Sequence, residues 1–182
     1  MSWIRSNSTL ILPNALALPP TARRLLRLES RPGTYALILS SNADHPVQIG
    51  RLGQLQVQPG FYVYVGSAFG PGGVLARVAH HRQRAAQPHW HIDYLRVVAH
   101  LTEIWYAYDP LRREHQWAEA LQQIRGASAP LPRFGASDCT CASHLYFFIR
   151  RPSWRTFRRR IRQVCRDHTP IYCQQLVPRT PS

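Results

Sequence analysis

Lysine is absent from this 182-residue chain, and all 23 of its basic residues are arginine. Acidic residues are also scarce: nine aspartates and glutamates leave a formal net charge of +14 at pH 7. Such an imbalance favours a polyanionic partner, either nucleic acid or an acidic membrane surface. Arginine clamps phosphate through two nitrogens and stacks on bases, which favours nucleic acid, although a codon bias towards arginine would also remove lysine.

Long hydrophobic runs and an export signal are missing as well. The apolar stretch over residues 10–18 is short and is broken by Pro13 and Asn14, so it fits neither a transmembrane span nor a signal peptide. The four cysteines therefore point to a reducing compartment and not to a disulfide framework. We expect a cytoplasmic protein without integral membrane association.

The length fits one domain with flanking arms. We predict an N-terminal arm over residues 1–31, a domain over 32–150 and a C-terminal tail over 151–182. No internal repeat or low-complexity tract interrupts them.

Strand patterns run through the predicted domain. Residues 33–41 are apolar on both faces, which indicates a strand covered on both sides. Residues 61–67 alternate, and the alternation places Tyr62, Tyr64 and Gly66 together on one face. Further β-patterns lie at 47–57, within 91–108 and in HLYFFIR from His144, which we predict to be the last strand.

Two helical patterns carry candidate functional side chains. In VLARVAHHRQR, over residues 74–84, Arg77, His81 and Arg84 share one stripe, because positions four and seven apart stack on a helix. The second helix, over residues 111–125, places Glu114 on the same side as its apolar residues, whereas Glu119 points away. An inward carboxylate is costly unless it caps the helix, pairs with arginine or holds a cation.

The predicted tail contains a basic amphipathic helix. Trp154, Phe157, Ile161 and Val164 recur at helical spacing among arginines. Such a helix can bind nucleic acid, lie on an anionic membrane, or dock its apolar stripe on the domain with the arginines facing water. We expect docking, with phosphate contacts as a by-product.

A second cluster contains residues of the types that bind zinc. It comprises Asp138, Cys139, Cys141 and His144, and His89 with His91 could face it from one side of a strand. The C-x-C-x-x-H spacing lacks the paired C-x-x-C of familiar zinc modules. A structural zinc and a loop held by hydrogen bonds from side chains to the backbone are the two alternatives.

The ordered segments GTYALIL from Gly33 and YVYVGSA from Tyr62, followed by Arg77, His81 and Glu114, resemble the GIY-YIG nuclease superfamily. The stretches WHIDYL and FGASDCTCASHL resemble its Uri-type endonuclease branch, and the resemblance covers roughly residues 32–150. Thr34 stands where isoleucine gives the family its name. The first glycine and Tyr64 are also farther apart than in the usual hairpin, which predicts an extra β-element between them.

The resemblance implies roles for five side chains. Glu114 would be the ligand of Mg²⁺ or Mn²⁺, and Arg77 would stabilise charge on the scissile phosphate. His81 would orient water or shuttle a proton, with His80 as a competing assignment.

The two tyrosines, Tyr35 and Tyr64, are harder to apportion. One would act as general base while the other positions water or phosphate, and which does which stays open. Both can instead simply pack in the sheet.

We therefore expect an α/β (α+β) domain with a small, mainly antiparallel sheet flanked by helices. The expected function is divalent-metal-dependent endonuclease activity, with DNA as the preferred substrate, held by tail arginines and by arginines near the loop at 70–73. The alternatives are a non-catalytic nucleic-acid-binding module on the same scaffold and a membrane-surface protein that uses the tail helix.

Overall fold

A computed structural model describes residues 28–83, 85–137 and 139–176. Most of the predicted N-terminal arm, together with Arg84 and Asp138, lies outside these residues. The strands are β1 (Gly33–Ser41), β2 (His45–Ile49), β3 (Gly53–Val57), β4 (Gly60–Ala68), β5 (His100–Tyr108), β6 (Leu145–Phe148) and β7 (Tyr172–Gln175). The helices are α1 (Gly73–Arg82), α2 (His91–Leu95), α3 (Glu114–Gln122) and α4 (Trp154–Val164).

Five strands form one sheet in the order β6-β4-β1-β5-β7, and every neighbouring pair is antiparallel. The strands β2 and β3 form a separate hairpin. This α+β architecture confirms the predicted fold class. The hairpin is also the extra β-element expected between the first glycine and Tyr64.

The central strand β1 is covered on both faces, as its composition predicted. Leu37 and Leu39 pack in a core with α1, α2 and the hairpin, while Ala36 and Ile38 pack in a second core with α3 and α4. The alternation of β4 is confirmed in the same way, because Tyr62 belongs to the first core. The sheet therefore separates two apolar layers.

The amphipathic helix α4 docks on the second layer, which confirms the expected fate of its apolar stripe. The Phe157 ring stacks on Trp105 with ring centroids 4.9 Å apart and meets the edge of Trp117 at 4.9 Å. Arginines on the other side of α4, among them Arg155 and Arg159, are exposed. Apolar burial, which contributes roughly 25 cal/mol per Å², is what holds this helix to the domain.

The prediction that HLYFFIR is the last strand was wrong. The strand β7 follows α4 and pairs with β5 at the sheet edge, Trp105 opposite Cys173. Its sequence, YCQQ, is short and half-buried. It therefore lacks the clear apolar alternation by which a strand is recognised in a sequence.

The start of one strand and the start of one helix also differ from the prediction. The stretch predicted as β-rich from His91 opens with α2, and its strand begins only at His100. The helix α3 begins at Glu114, three residues later than predicted. Before it, an Asp109 carboxylate oxygen accepts a hydrogen bond from the Leu111 backbone N–H at 2.9 Å, a local turn that competes with helix.

Candidate functional site

A cleft of about 600 Å³ opens where β1, β4, α1 and α3 meet the loop before β6. It is lined by all five side chains singled out in the sequence: Tyr35, Tyr64, Arg77, His81 and Glu114. The structure thus brings together residues that are distant along the chain. Their functional roles are a separate question.

Glycine at position 66 makes room for the first tyrosine. In the antiparallel register Tyr35 lies opposite Gly66. A Cβ atom at this glycine would lie 2.5 Å from both Cζ and Oη of Tyr35, closer than atoms can approach. The tyrosine ring therefore rests directly on the glycine backbone, which gives a physical reason for this pairing of residue types.

The hydroxyl group of Tyr35 and the Nε2 atom of His81 are 2.9 Å apart in a buried hydrogen bond. Burial lowers the pKa of His81 to about 3, with repulsion from His80 and Arg77 as lesser causes, so the imidazole is neutral at pH 7. Burial likewise raises the pKa of Tyr35 well above its usual value. The pair is therefore a neutral phenol against a neutral imidazole.

An aspartate that the sequence analysis did not select lies behind this pair. Asp93 Oδ1 is 4.0 Å from His81 Nδ1 and 3.7 Å from His80 Nε2. Asp93 Oδ2 accepts the backbone N–H groups of His89 at 3.1 Å and Trp90 at 3.0 Å, which fixes the carboxylate at the start of α2. A carboxylate on the Nδ1 side favours a proton there and leaves Nε2 to accept the proton of Tyr35.

The two histidines on α1 differ in burial and position. His81 is 2 % exposed at its side chain and lines the cleft, whereas the His80 side chain is 43 % exposed. The hydrogen bond with Tyr35 is made by His81.

Arg77 is oriented by an aromatic side chain that the sequence analysis also missed. Its guanidinium carbon lies 4.7 Å from the centre of the Trp90 ring. A cation over an indole face gains about 0.5–1 kcal/mol at an exposed site and more when desolvated. Trp90 therefore restricts the directions in which this cation can point.

The second tyrosine is less enclosed than the first. The Tyr64 ring meets the edge of Phe134 at 6.0 Å and the edge of His81 at 6.4 Å. A Cβ atom at Gly135 would lie 2.7 Å from Tyr64 Cε2, and Gly135 has a φ of 68°. Glycine is needed there both for the backbone conformation and for the approach of the ring.

Glu114 faces inward from the first turn of α3, as its helical position predicted, and Glu119 is exposed. Its Oε1 atom is 3.8 Å from Arg112 Nη1, but the Arg112 side chain is 61 % exposed. The buried Oε2 atom has no hydrogen-bond partner among the residues that the structure describes. A long surface ion pair leaves this oxygen unsatisfied, so the carboxylate fits a bound cation better than a closed salt bridge.

The residue before this glutamate is held firmly. The Arg113 guanidinium donates to Asp109 Oδ2 at 3.2 Å and to Asp167 Oδ2 at 2.9 Å. Its backbone N–H donates to Thr34 Oγ1 at 3.2 Å. The hydrogen bond from Arg113 lowers the pKa of Asp167 to about 2. The start of α3 is thereby tied to β1 and to the segment after α4.

The second cluster includes a histidine that the sequence analysis did not select. His115, Cys139, Cys141 and His144 place one ligand atom each within 4.8 Å of all the others. His115 was missed because it lies far from the C-x-C-x-x-H run along the chain.

His89 and His91, which the sequence allowed to face the cluster, do not join it. His91 lies in α2 and not on a strand, and its Nδ1 atom accepts the backbone N–H of Gly135 at 3.0 Å. His89 is exposed at the cleft. The hydrogen bonds offered as the alternative to zinc are present, since Arg133 donates to the backbone carbonyls of Cys139 and Cys141.

In the described part of the chain, no helix has the length and apolar character required to cross a membrane.

Comparisons with known proteins identify one family. Neither the curated proteins nor the solved structures contain a significant match. The model of the family described as domain of unknown function DUF123 matches residues 34–166, well over half of the sequence, and the chain belongs to this family.

Proposed function

We propose that this chain is a Uri-type member of the GIY-YIG nucleases, an endonuclease that cleaves DNA with the help of Mg²⁺ or Mn²⁺. One observation carries the proposal. Two tyrosines, an arginine, a histidine and a glutamate, in the order expected for this superfamily, line a single cleft. A phosphodiester hydrolase needs an activated water, charge neutralisation at the phosphate and help for the leaving oxygen.

Glu114 would hold the divalent cation. Mg²⁺ and Mn²⁺ bind one or two carboxylates and complete their shells with water and phosphate oxygens, and they supply Lewis-acid stabilisation of phosphate charge. The unpartnered Oε2 atom at the cleft is the donor that suits this role.

Tyr35 and His81 would move the proton. As Tyr35 takes a proton from the attacking water, its own hydroxyl proton passes to His81 Nε2, 2.9 Å away. No free phenolate is required, which matters because burial holds the pKa of Tyr35 well above its usual value. The imidazolium formed in this step would be stabilised by Asp93, whose carboxylate lies on its other side.

Arg77 and Tyr64 would act on the phosphate. Arg77 is the guanidinium that stabilises the developing charge, and Trp90 keeps it pointed at the cleft. Tyr64, the more accessible phenol, would position water or phosphate. The net charge of +14 supports a polyanionic substrate.

A cleavage assay with matched arginine variants tests the proposal. Purified protein should cut at least one of plasmid, single-stranded or branched DNA when Mg²⁺ or Mn²⁺ is present. Arg77→Ala should lower the rate by about 10²- to 10³-fold, the loss typical of one stabilising group. Arg82→Ala, a change at an exposed position of the same helix, should leave the rate close to that of wild type.

Inert protein would distinguish the rival functions. If wild type binds DNA but never cuts it across this panel and an RNA panel, the chain is a binding module. If it co-sediments with anionic liposomes and not with nucleic acid, the exposed arginines of α4 serve a membrane surface. Because α4 packs on the sheet and β7 is its edge strand, replacing Arg155 and Arg159 by glutamine is a cleaner probe of that idea than truncation.

A further inference from the structure

We infer that His115, Cys139, Cys141 and His144 form a zinc site that ties the first turn of α3 to the loop before β6. This set is called the zinc cluster below. The existence of the site does not depend on nuclease activity. Its effect on Glu114 rests on the proposed function.

The distances within the zinc cluster suit a tetrahedral ion. His115 Nδ1 lies 3.1 Å from Cys141 Sγ, and His144 Nε2 lies 3.5 Å from Cys139 Sγ. With Zn–S bonds of about 2.3 Å and Zn–N bonds of about 2.0–2.1 Å, a tetrahedral centre separates nitrogen from sulfur by about 3.6 Å. All four donor atoms lie within 4.8 Å of one another, so sub-ångström to ångström adjustments would close the shell.

The donor types select the metal. Two thiolates and two imidazoles are the ligand set of structural zinc, and hard cations such as Mg²⁺ prefer oxygen. Four protein donors leave no open coordination position for substrate. The zinc cluster would therefore serve structure, while the oxygen donor Glu114 serves the catalytic cation.

The protein already organises the ligands. Arg133 donates to the backbone carbonyls of Cys139 and Cys141, which gathers the cysteine-bearing loop around one guanidinium. His144 is attached to β4, because its backbone carbonyl accepts the N–H of Val65 at 2.9 Å. The remaining ligand, His115, arrives from α3. A zinc ion would join the loop before β6 to α3.

The position of His115 gives the site its consequence. It directly follows Glu114, and the residue on the other side, Arg113, is anchored by Asp109 and Asp167. A bond from His115 to zinc would fix the first turn of α3 on the side that Arg113 and its two aspartate partners do not reach. Zinc would thereby hold the Glu114 carboxylate in the position from which it binds Mg²⁺ or Mn²⁺.

Metal analysis of untagged protein tests the site. Chain purified without chelators should contain one zinc ion per molecule. Cys139→Ser with Cys141→Ser, and separately His115→Ala, should lose it. The controls Cys173→Ser and His100→Ala, which alter the same residue types elsewhere in the structure, should retain it.

Cobalt substitution covers the case in which the variants fail to fold. Wild type stripped of metal and reloaded with Co²⁺ should show intense visible bands of a tetrahedral ion and a thiolate-to-cobalt charge-transfer band. Zinc well below stoichiometric amounts together with a weak, octahedral cobalt spectrum would overturn the proposal. A disulfide between Cys139 and Cys141 in freshly isolated protein would do so as well.

The coupling to Glu114 has its own readout. His115→Cys keeps four zinc donors, so it should retain zinc and bind Mn²⁺ as wild type does, measured by electron paramagnetic resonance. His115→Ala should bind Mn²⁺ about tenfold more weakly, within the range for residues that support a metal ligand. Equal Mn²⁺ affinity in both variants would reject the coupling. Stoichiometric zinc in a protein that never cuts DNA would reject only the nuclease.

Discussion

The two walls of the cleft differ in what they leave unfinished. On the tyrosine wall, formed by β1 and α1, Tyr35 and His81 share a buried hydrogen bond and burial holds both neutral, although His81 Nδ1 has no hydrogen-bond partner in the described residues. On the glutamate wall, formed by α3 and the loop before β6, Glu114 keeps a buried oxygen without a hydrogen-bond partner in the described residues. The thiols and imidazoles of the zinc cluster lie beside it. The first wall pairs two neutral groups, whereas the second places a buried carboxylate next to thiols and imidazoles.

Under the proposed function, the two walls would perform different tasks, proton transfer and stabilisation of phosphate charge. Moving a proton requires groups whose protonation is set by burial and by neighbours, and the tyrosine wall supplies these without help. Stabilising the charge that develops on the phosphate during cleavage calls for a cationic or Lewis-acid group placed at the phosphate itself. We infer that a bound cation supplies it, next to the one carboxylate that faces the cleft from α3.

The largest effect should come from removing the unsatisfied carboxylate. Glu114→Gln should reduce DNA cleavage by about 10²- to 10³-fold and abolish Mn²⁺ binding, while DNA binding persists. Without added metal the variant should be at least as stable as wild type, since Glu114 has only a long ion pair to the exposed Arg112 and its buried Oε2 atom lacks a hydrogen bond. The matched variant Glu119→Gln, on the exposed side of the helix, should match wild type in rate and stability.

DNA cleavage by the Glu114→Gln variant at the wild-type rate would contradict this difference between the walls. It would show that the unpartnered oxygen is not a metal ligand. Rate measurements, Mn²⁺ titrations and thermal unfolding on the same preparations separate that outcome from a loss of fold.

A smaller effect should follow from crowding the tyrosine wall. Gly66→Ala would place a methyl group 2.5 Å from Tyr35 Oη, so the ring must move and its hydrogen bond to His81 must break. We expect cleavage to fall about 10²-fold, the lower end for loss of acid–base assistance. Gly70→Ala is the control, because a Cβ atom there would meet only Arg77 Nη2, at 3.7 Å.

Tyr35→Phe distinguishes displacement from unfolding in that experiment. It removes the hydroxyl group without a clash and should give a loss similar to that of Gly66→Ala. Wild-type activity in Tyr35→Phe would remove this phenol from the proton path and leave Tyr64 as the candidate.

The smallest effect is a pH dependence of stability. The pKa of His81 is about 3 in the folded chain against 6.5 for the free residue, so the unfolded chain binds more protons between these values. His81 therefore stabilises the fold above pH 6.5, and this contribution is lost as pH falls towards 3. Between pH 6.5 and 5 the loss should be about 2 kcal/mol.

Denaturant unfolding at pH 7 and pH 5 measures this loss. His81→Gln should lose less free energy of unfolding than wild type over the interval, by about 2 kcal/mol. His89→Gln, at an exposed position, should behave as wild type. Identical pH slopes in all three proteins would mean that folding does not lower the pKa of His81.

Local periodicity accounts for most of what the sequence could predict. The parity of β4 was readable because strand side chains alternate, and the inward direction of Glu114 followed from helical spacing. The docking of α4 followed from its apolar stripe. Each of these features is decided within one element, where neighbouring residues alone carry the information.

The missed residues depend on contacts between elements. Trp90 and Asp93 lie in WHIDYL, whose short helix carried no clear pattern, and they act through α1. His115 joins a loop that is distant along the chain. The strand β7 exists because β5 offers it an edge, not because its own residues favour it. Packing across the chain decided all four features.

The position of β1 in the sheet has a consequence for how the cleft comes apart on heating. Its amides and carbonyls are bonded to β4 on one side and β5 on the other along nearly its whole length. Backbone hydrogens in such a strand exchange with solvent only when the entire sheet opens. The tyrosine on β1 should therefore be the last part of the cleft to become disordered, and local unfolding that precedes global unfolding should begin in the glutamate wall.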